Sequence, residues 1–322
     1  MKKLQNVSIP LAPISKSSAH NSHMGKMKAK ILVILGPTAT GKSDLAVALA
    51  KKFNGEVISA DSRQIYKGMD LGTGKITKKE MGGIPHHLLD IVKPNTLFSV
   101  SKYKARAHKA IEQILKKNKL PIICGGTGFY IDAIVKNISL PEVPPNKKLR
   151  AQLEKKSPEK LYEILMKLSP TRAKNIDKHN TVRLIRAIEI AKALGDVPEI
   201  QEKPSQYNCI FIGLDTKDDI LKKRIALRLE KRIKLGMIRE VEKLHDGGVS
   251  WKRLESFGLE YREVALYLQE KITKEQMIAN LNNDIWHYVK RQRTWFKRNK
   301  EIYWFELKQN KKIIYQIKNF IK

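Results

Sequence analysis

The stretch Gly36-Pro37-Thr38-Ala39-Thr40-Gly41-Lys42-Ser43 matches G-x-x-x-x-G-K-[ST] and narrows the possible folds more than any other part of this 322-residue chain. Such a loop works only between a buried strand and the first turn of a helix. Its glycines let backbone N–H groups turn onto phosphate oxygens, and the helix N-terminus adds positive potential. Both neighbours are legible. Ile31-Leu32-Val33-Ile34-Leu35 is a continuous apolar run of the kind buried on both faces of a parallel sheet, and residues from Ser43 to about Phe53 read as a helix. Lys42 supplies a point charge for a diphosphate or triphosphate, and Ser43 offers an oxygen to Mg2+.

The alternation continues downstream. Glu56-Val57-Ile58-Ser59-Ala60 is a second strand ending at Asp61-Ser62, a helix is expected from about Val100 to Lys117, and Pro121-Ile122-Ile123-Cys124 runs into Gly125-Gly126-Thr127-Gly128. This predicts an α/β fold, a P-loop kinase-like parallel sheet with helices on both faces and ligands at the carboxyl ends of its strands. Near Ser139 the texture changes to a Pro-rich hinge, Leu140-Pro141-Glu142-Val143-Pro144-Pro145, followed by helical signals alone. Ser157-Pro158-Glu159 reads as N-cap, N1 and first-turn acid, and Asn180 caps a helix that Gly195 closes. Strand signal returns at Cys209-Ile210-Phe211-Ile212, and the remainder reads as mainly helical. The expected organisation is a disordered leader over 1–28, a first core part over 29–138, a helical insertion domain over 139–206, and a second core part over 207–322 ending in basic helices.

Charge says what kind of partner to expect. Lys+Arg number 63 against 32 Asp+Glu, a net +31, which points beyond solvated lysine faces to a polyanion such as nucleic acid. The two cysteines, Cys124 and Cys209, form no metal-ligand spacing and fit small core thiols in a reducing cytoplasm. No apolar run approaches the roughly 20 residues that span a bilayer. The first 30 residues lack acids and any apolar h-region, with Met24 and Met27 just ahead of the first strand.

A P-loop fixes what is gripped and leaves open what is done with it. Nucleotide hydrolysis needs a strand-end carboxylate for the metal and a residue that orients water. Here the third strand ends in Gly-Gly-Thr, and Asp61 is the only carboxylate that reads as well placed. A kinase acting on a nucleotide or small molecule and an RNA-binding P-loop switch therefore stand as rival readings.

The set GPTATGKS, DSRQIYKGMDLGTGK, PHHLLDI, GGTGFY and RLIRAIE, in that order from about residue 30 to about 300, resembles the bacterial tRNA dimethylallyltransferases, also called tRNA isopentenyltransferases. The resemblance implies transfer of the dimethylallyl group of dimethylallyl diphosphate to N6 of the adenosine on the 3′ side of the anticodon. It implies that Asp61 is the general base, that Thr38 and the P-loop hold the diphosphate, and that Arg228 meets the departing charge. It marks Asp61, Ser62, Arg63, Gln64, Thr127, Arg150, Val182, Arg183, Leu184, Ile185 and Arg186 as tRNA contacts. The partners so implied are the tRNA anticodon stem-loop and dimethylallyl diphosphate with Mg2+, and the protein is expected to be a cytoplasmic monomer.

The assigned roles make independent chemical sense. The lone pair of the adenine amine is drawn into its ring, so a carboxylate accepting its proton during attack helps by about 10²- to 10⁴-fold. Fixed donors aimed at the leaving diphosphate lower the barrier further. Leu221, Ile225, Leu229 and Ile233 recur every four residues as a buried stripe, with Arg224, Arg228 and Arg232 beside it. Arg183 and Arg186 share a helix face suited to neighbouring phosphates. The run from Trp286 to Arg298 interleaves aromatics with bases, either to stack RNA or to place Trp and Phe in the core beneath a basic face. Gly258-Leu259-Glu260-Tyr261-Arg262 departs from the usual family pattern of Gly-Tyr followed closely by a base, and the paired cysteines of eukaryotic relatives are missing. His86 and His87 have no evident third metal ligand and read as structural.

Overall fold

The computed structural model describes residues 28–199 and 201–322, so all but the last residue of the expected leader lies outside the described residues. The core begins with β1 (Ala29–Leu35), α1 (Lys42–Lys52), β2 (Gly55–Ser59), the short α2 (Lys78–Met81), β3 (His86–His87), α3 (Val100–Lys116), β4 (Leu120–Gly125) and α4 (Gly128–Val135). Helices α5 (Lys147–Leu153), α6 (Pro158–Leu168), α7 (Pro170–Lys174) and α8 (Thr181–Leu194) follow. The chain then returns through β5 (Tyr207–Leu214), α9 (Asp218–Lys234), α10 (Met237–Asp246), α11 (Trp251–Ser256), α12 (Leu259–Leu268), α13 (Lys274–Phe296), β6 (Ile302–Phe305) and α14 (Asn310–Ile321).

All strand pairings are parallel, in the order β3-β2-β4-β1-β5-β6. Leu35 at the end of β1 is level with Gly125 on one side and Gly213 on the other, and Ser59 of β2 is level with Cys124. The P-loop, the Asp61 turn and the Gly-Gly-Thr turn therefore leave one edge of the sheet side by side. Gly36 has φ 134° and a Cβ there would lie 2.1 Å from the carbonyl oxygen of Leu214, so only glycine lets the loop start this close to β5.

Each sheet face carries its own core. One packs Ile31, Val33 and Ile123 against Tyr103, Ile111 and Ile134 of α3 and α4; the other packs Leu32, Ile34 and Ile212 against Leu45 and Leu49 of α1 and Ile313 and Ile317 of α14. A third cluster, with Met69, Met237, Val264 and Leu281, joins the segment after β2 to the helices after β5.

Two strands escaped the sequence reading. In β3, His86 and His87 pair with Val57 and Ile58, and His87 Nε2 lies 2.8 Å from the carboxylate of Glu56, which is 1% exposed. These histidines hold the sheet edge, and among the described residues no cluster of His, Cys, Asp or Glu is arranged for a metal. In β6, Tyr303 and Trp304 are exposed, so the segment lacks the apolar run that marks buried strands.

Between α4 and β5 the chain is helical. Ser157 accepts from Lys160 N, Asn180 accepts from Arg183 N, and Gly195 closes α8 with φ 85°. Leu153, Leu161, Leu165, Leu184 and Ile188 give this segment its own core. Its two chain ends meet where Ser139 N donates to Gln201 O at 3.0 Å.

Candidate functional site

A channel of about 880 Å³ opens at the carboxyl edge of the sheet, walled by the P-loop, the turn after β2, the loop around residues 70–77 and the helices α9, α12 and α13. At its floor Lys42 Nζ donates to Pro37 O, as does Thr40 Oγ1 at 2.9 Å, so side chains of the loop brace its own backbone. Burial lowers the Lys42 pKa to about 8 against the raising influence of Cys124 and Asp61. Thr38 and Ser43 both line the channel, with the Ser43 side of the loop open to it. Gln292 of α13 holds the loop from above: its Oε1 accepts from Thr38 N and its Nε2 donates to Gly126 O, each at 2.9 Å.

Asp61 faces the same space from the next turn. Its Oδ1 accepts from the amides of Arg63 at 2.8 Å and Gln64 at 3.3 Å, and Oδ2 makes no hydrogen bond among the described residues. One oxygen is thus spent on fixing the carboxylate and the other is left toward the channel. Thr127 supports this turn, its Oγ1 accepting from Ser62 N at 3.1 Å, so it acts here as a brace between the ends of β2 and β4. Gln64 reaches Ser59 Oγ and Thr73 O at the limits of hydrogen bonding, and Arg63 lies over the Phe257 ring at 5.5 Å. Tyr288 completes the wall, its phenol pushed above its ordinary range first by burial and then by Asp61.

Across the channel, α9 buries Leu221, Ile225 and Leu229 and turns Arg228 and Arg232 inward; Arg224 does not line the space. Arg228 has no side-chain partner among the described residues. Its pKa is depressed by burial and then by Arg232, so it is a cation held in the channel wall without a counter-charge paired to it among the described residues. Arg232 is occupied, donating to Leu71 O and Gly72 O and pairing with Glu260 at 2.9 Å. A second strand-end carboxylate, Asp215, follows β5, contrary to the expectation that Asp61 stands alone. Arg293 grips both of its oxygens at 2.9 Å and Thr216 N donates to Oδ1, so Asp215 anchors α13.

The expected RNA contacts on the insertion divide. Leu184 and Ile185 are 0% and 8% exposed and belong to its core, so their side chains are withdrawn from any RNA. Arg150 donates through Nε and Nη2 to Glu189 at 2.7 and 2.6 Å, and Arg186 bonds Val143 O and reaches the same carboxylate. Glu189 is 2% exposed, and a buried carboxylate demands such partners, which a charge count cannot reveal. Val182 and Arg183 remain exposed. In α13, Ile285, Val289, Gln292 and Phe296 are buried while Lys290 faces out and the exposed Arg291 lines the channel; Trp295 donates to Asp132 at 2.9 Å, and Trp286 sits among Lys222, Lys290 and Arg293. Sequence alone shows Gln292 and Tyr288 only as members of an aromatic and basic run, and Arg232 only as one of a stripe of arginines, because what each does depends on contacts with residues far away in the chain.

Residues 64–299 match the IPP transferase family. A relative from Syntrophus aciditrophicus (strain SB), tRNA dimethylallyltransferase 1, is 44% identical over 289 residues, covering 87% of this chain and 94% of the relative. The structure of the full-length tRNA isopentenylpyrophosphate transferase of Bacillus halodurans is similar at a TM-score of 0.69 and 38% identity, covering 91% of this chain and 96% of that one. A eukaryotic dimethylallyltransferase acting on tRNA is similar at a TM-score of 0.78 and 27% identity, covering 91% of this chain and 79% of that one.

Proposed function

This chain belongs to the IPP transferase family, and on that premise we propose that it transfers the dimethylallyl group of dimethylallyl diphosphate to N6 of the adenosine 3′-adjacent to the anticodon in tRNA. The observation that carries this reading is the meeting, in one channel, of a phosphate-gripping loop, a fixed carboxylate with one open oxygen and an unpaired arginine. The adenosine leaves its stack to enter. Asp61 Oδ2 accepts a proton from N6 as the nitrogen attacks C1 of the prenyl group. The C1–O bond breaks, and the diphosphate departs with the bonding electrons toward the P-loop amides, Lys42 and Arg228. The kinase and the RNA-binding switch give way to this reading.

The donors around the loop suit a diphosphate-borne Mg2+. Ser43 and Asp44 face the channel beside the phosphate cradle, and a cation that keeps several waters needs little more from the protein. Bound there, Mg2+ would neutralise charge on the diphosphate. The insertion and the exposed bases of α13 grip the anticodon stem-loop, with Val182 and Arg183 as the insertion's free contacts. One chain supplies every wall of the channel, so a monomer suffices, and the free thiols Cys124 and Cys209 suit a cytoplasmic protein. No helix of the described residues is long and apolar enough to cross a membrane. The test is incubation with labelled dimethylallyl diphosphate and unmodified tRNA, followed by nucleoside analysis. Label in N6-isopentenyladenosine at the position after the anticodon is the expected result; label absent from the RNA overturns the assignment.

A further inference from the structure

We propose that Glu240, on α10 and away from the P-loop, is a positioning residue that keeps Arg228 free for the diphosphate by ordering the loop of residues 70–75. The inference rests on Arg228 meeting that diphosphate. The Glu240 carboxylate takes four hydrogen bonds: Oε2 accepts from Asp70 N at 3.0 Å and Leu71 N at 2.7 Å, and Oε1 accepts from Gly72 N at 3.0 Å and the Tyr261 hydroxyl at 2.7 Å. Successive backbone amides converging on one carboxylate make an anion nest filled from within the protein, with charge-assisted bonds of roughly twice ordinary strength.

With its amide N–H groups fixed on Glu240, this turn presents two carbonyls to the other side, Leu71 O, which also accepts from Gly74 N at 3.1 Å, and Gly72 O. Leu71 O and Gly72 O accept from Arg232 Nη1 at 3.2 and 3.1 Å. Together with Glu260, they hold Arg232 against the loop. Arg228, one turn away on the same helix, is left without a partner. Gly74 closes this loop beside the two arginines in the left-handed region, φ +58°, which favours glycine; a Cβ there would meet Arg228 Nη2 and Arg232 Nη1 only at ordinary contact distance, 3.6 Å. The far end is tied by Lys75, whose Nζ donates to Tyr66 O at 2.9 Å and pairs with Asp70 and Asp90. Without the Glu240 charge the turn loses its anchor and Arg232 loses its two carbonyls. Arg232 then competes with Arg228 for the same space and the same partners.

The test is a double-mutant cycle on the full chain, reading the affinity for inorganic diphosphate in Mg2+ by calorimetry. Glu240→Gln should weaken binding by about 5- to 10-fold, the scale of one or two buried hydrogen bonds, and this loss should vanish in an Arg228→Ala background. Tyr261→Phe, which removes one donor and leaves the charge, should weaken binding less and follow the same pattern. It carries the cycle if Glu240→Gln melts without cooperativity. Equal losses in both backgrounds, or no loss beside a clear effect of Arg228→Ala, would mean that Glu240 merely stabilises the fold, leaving the role of Arg228 intact. If Arg228→Ala itself leaves diphosphate affinity unchanged, the assigned role of Arg228 fails and this inference fails with it.

Discussion

Gln292 and Thr38 stand 254 residues apart in the sequence and are joined by a 2.9 Å hydrogen bond from the Thr38 amide to Gln292 Oε1. The P-loop is thus held by a helix from the second part of the core, through a residue 5% exposed that also ties down Gly126. Gln292→Leu preserves bulk and orphans both partners. It should destabilise the protein by about 2 kcal/mol and weaken diphosphate binding, read by chemical denaturation and calorimetry. A stable variant with unchanged affinity would show the loop to be self-supporting.

Lys42 gives a pH signature. Its ammonium is charged below about 8 and neutral above, so diphosphate affinity should decline as pH rises through that value. Stability runs the other way. Between about 8 and 10.5 the unfolded chain binds a proton that the native lysine has shed, so its contribution to stability rises with pH across that window. Lys42→Met should therefore lose diphosphate affinity at pH 7, abolish the alkaline decline and melt no lower than the parent. A variant that binds normally removes Lys42 from the phosphate site.

Asp61→Asn should separate chemistry from binding. The amide keeps size and an oxygen for Arg63 N and Gln64 N, yet cannot take the proton, so single-turnover prenyl transfer should fall by about 10² or more. Diphosphate affinity should change little. Recovery of the parental rate in excess Mg2+ would identify Asp61 as an organiser of metal instead.

The two arginines of α8 should behave differently despite sharing a face. Arg183→Ala should lower the salt dependence of tRNA binding by about 0.7 to 0.9 in log–log slope, the share of one phosphate contact, with little effect on folding. Arg186→Ala takes one of the partners of buried Glu189 and should chiefly lower the melting temperature. Equal slopes in the parent and Arg183→Ala would move the RNA grip elsewhere.

How much of this was legible depended on the range of the interactions. The P-loop, the turn at Asp61 and the apolar runs of β1, β2 and β4 announce themselves locally, because strands buried on both faces need no alternation and phosphate loops need glycine. The edge strands β3 and β6 carry His86-His87 and exposed Tyr303-Trp304, with too little apolar pattern to be seen. Arg150 and Arg186 look like free cations in sequence, because their partner Glu189 is recognised only once α5 and α8 are packed together. Asp215 was passed over for a similar reason: its strand end is evident, while the arginine that occupies it lies 78 residues away.

The hydrogen bond between Ser139 and Gln201 closes the base of the helical segment like the neck of a purse. In engineering terms, the polypeptide leaves and re-enters the α/β core at almost one point, which makes the segment between, with its own small core, a natural unit to trim or exchange. Evolution has the same freedom. The helical segment can lengthen, shrink or change its charge without disturbing the register of β1 beside β5, so, on the proposed function, the choice of RNA and the chemistry performed on it can be altered one at a time.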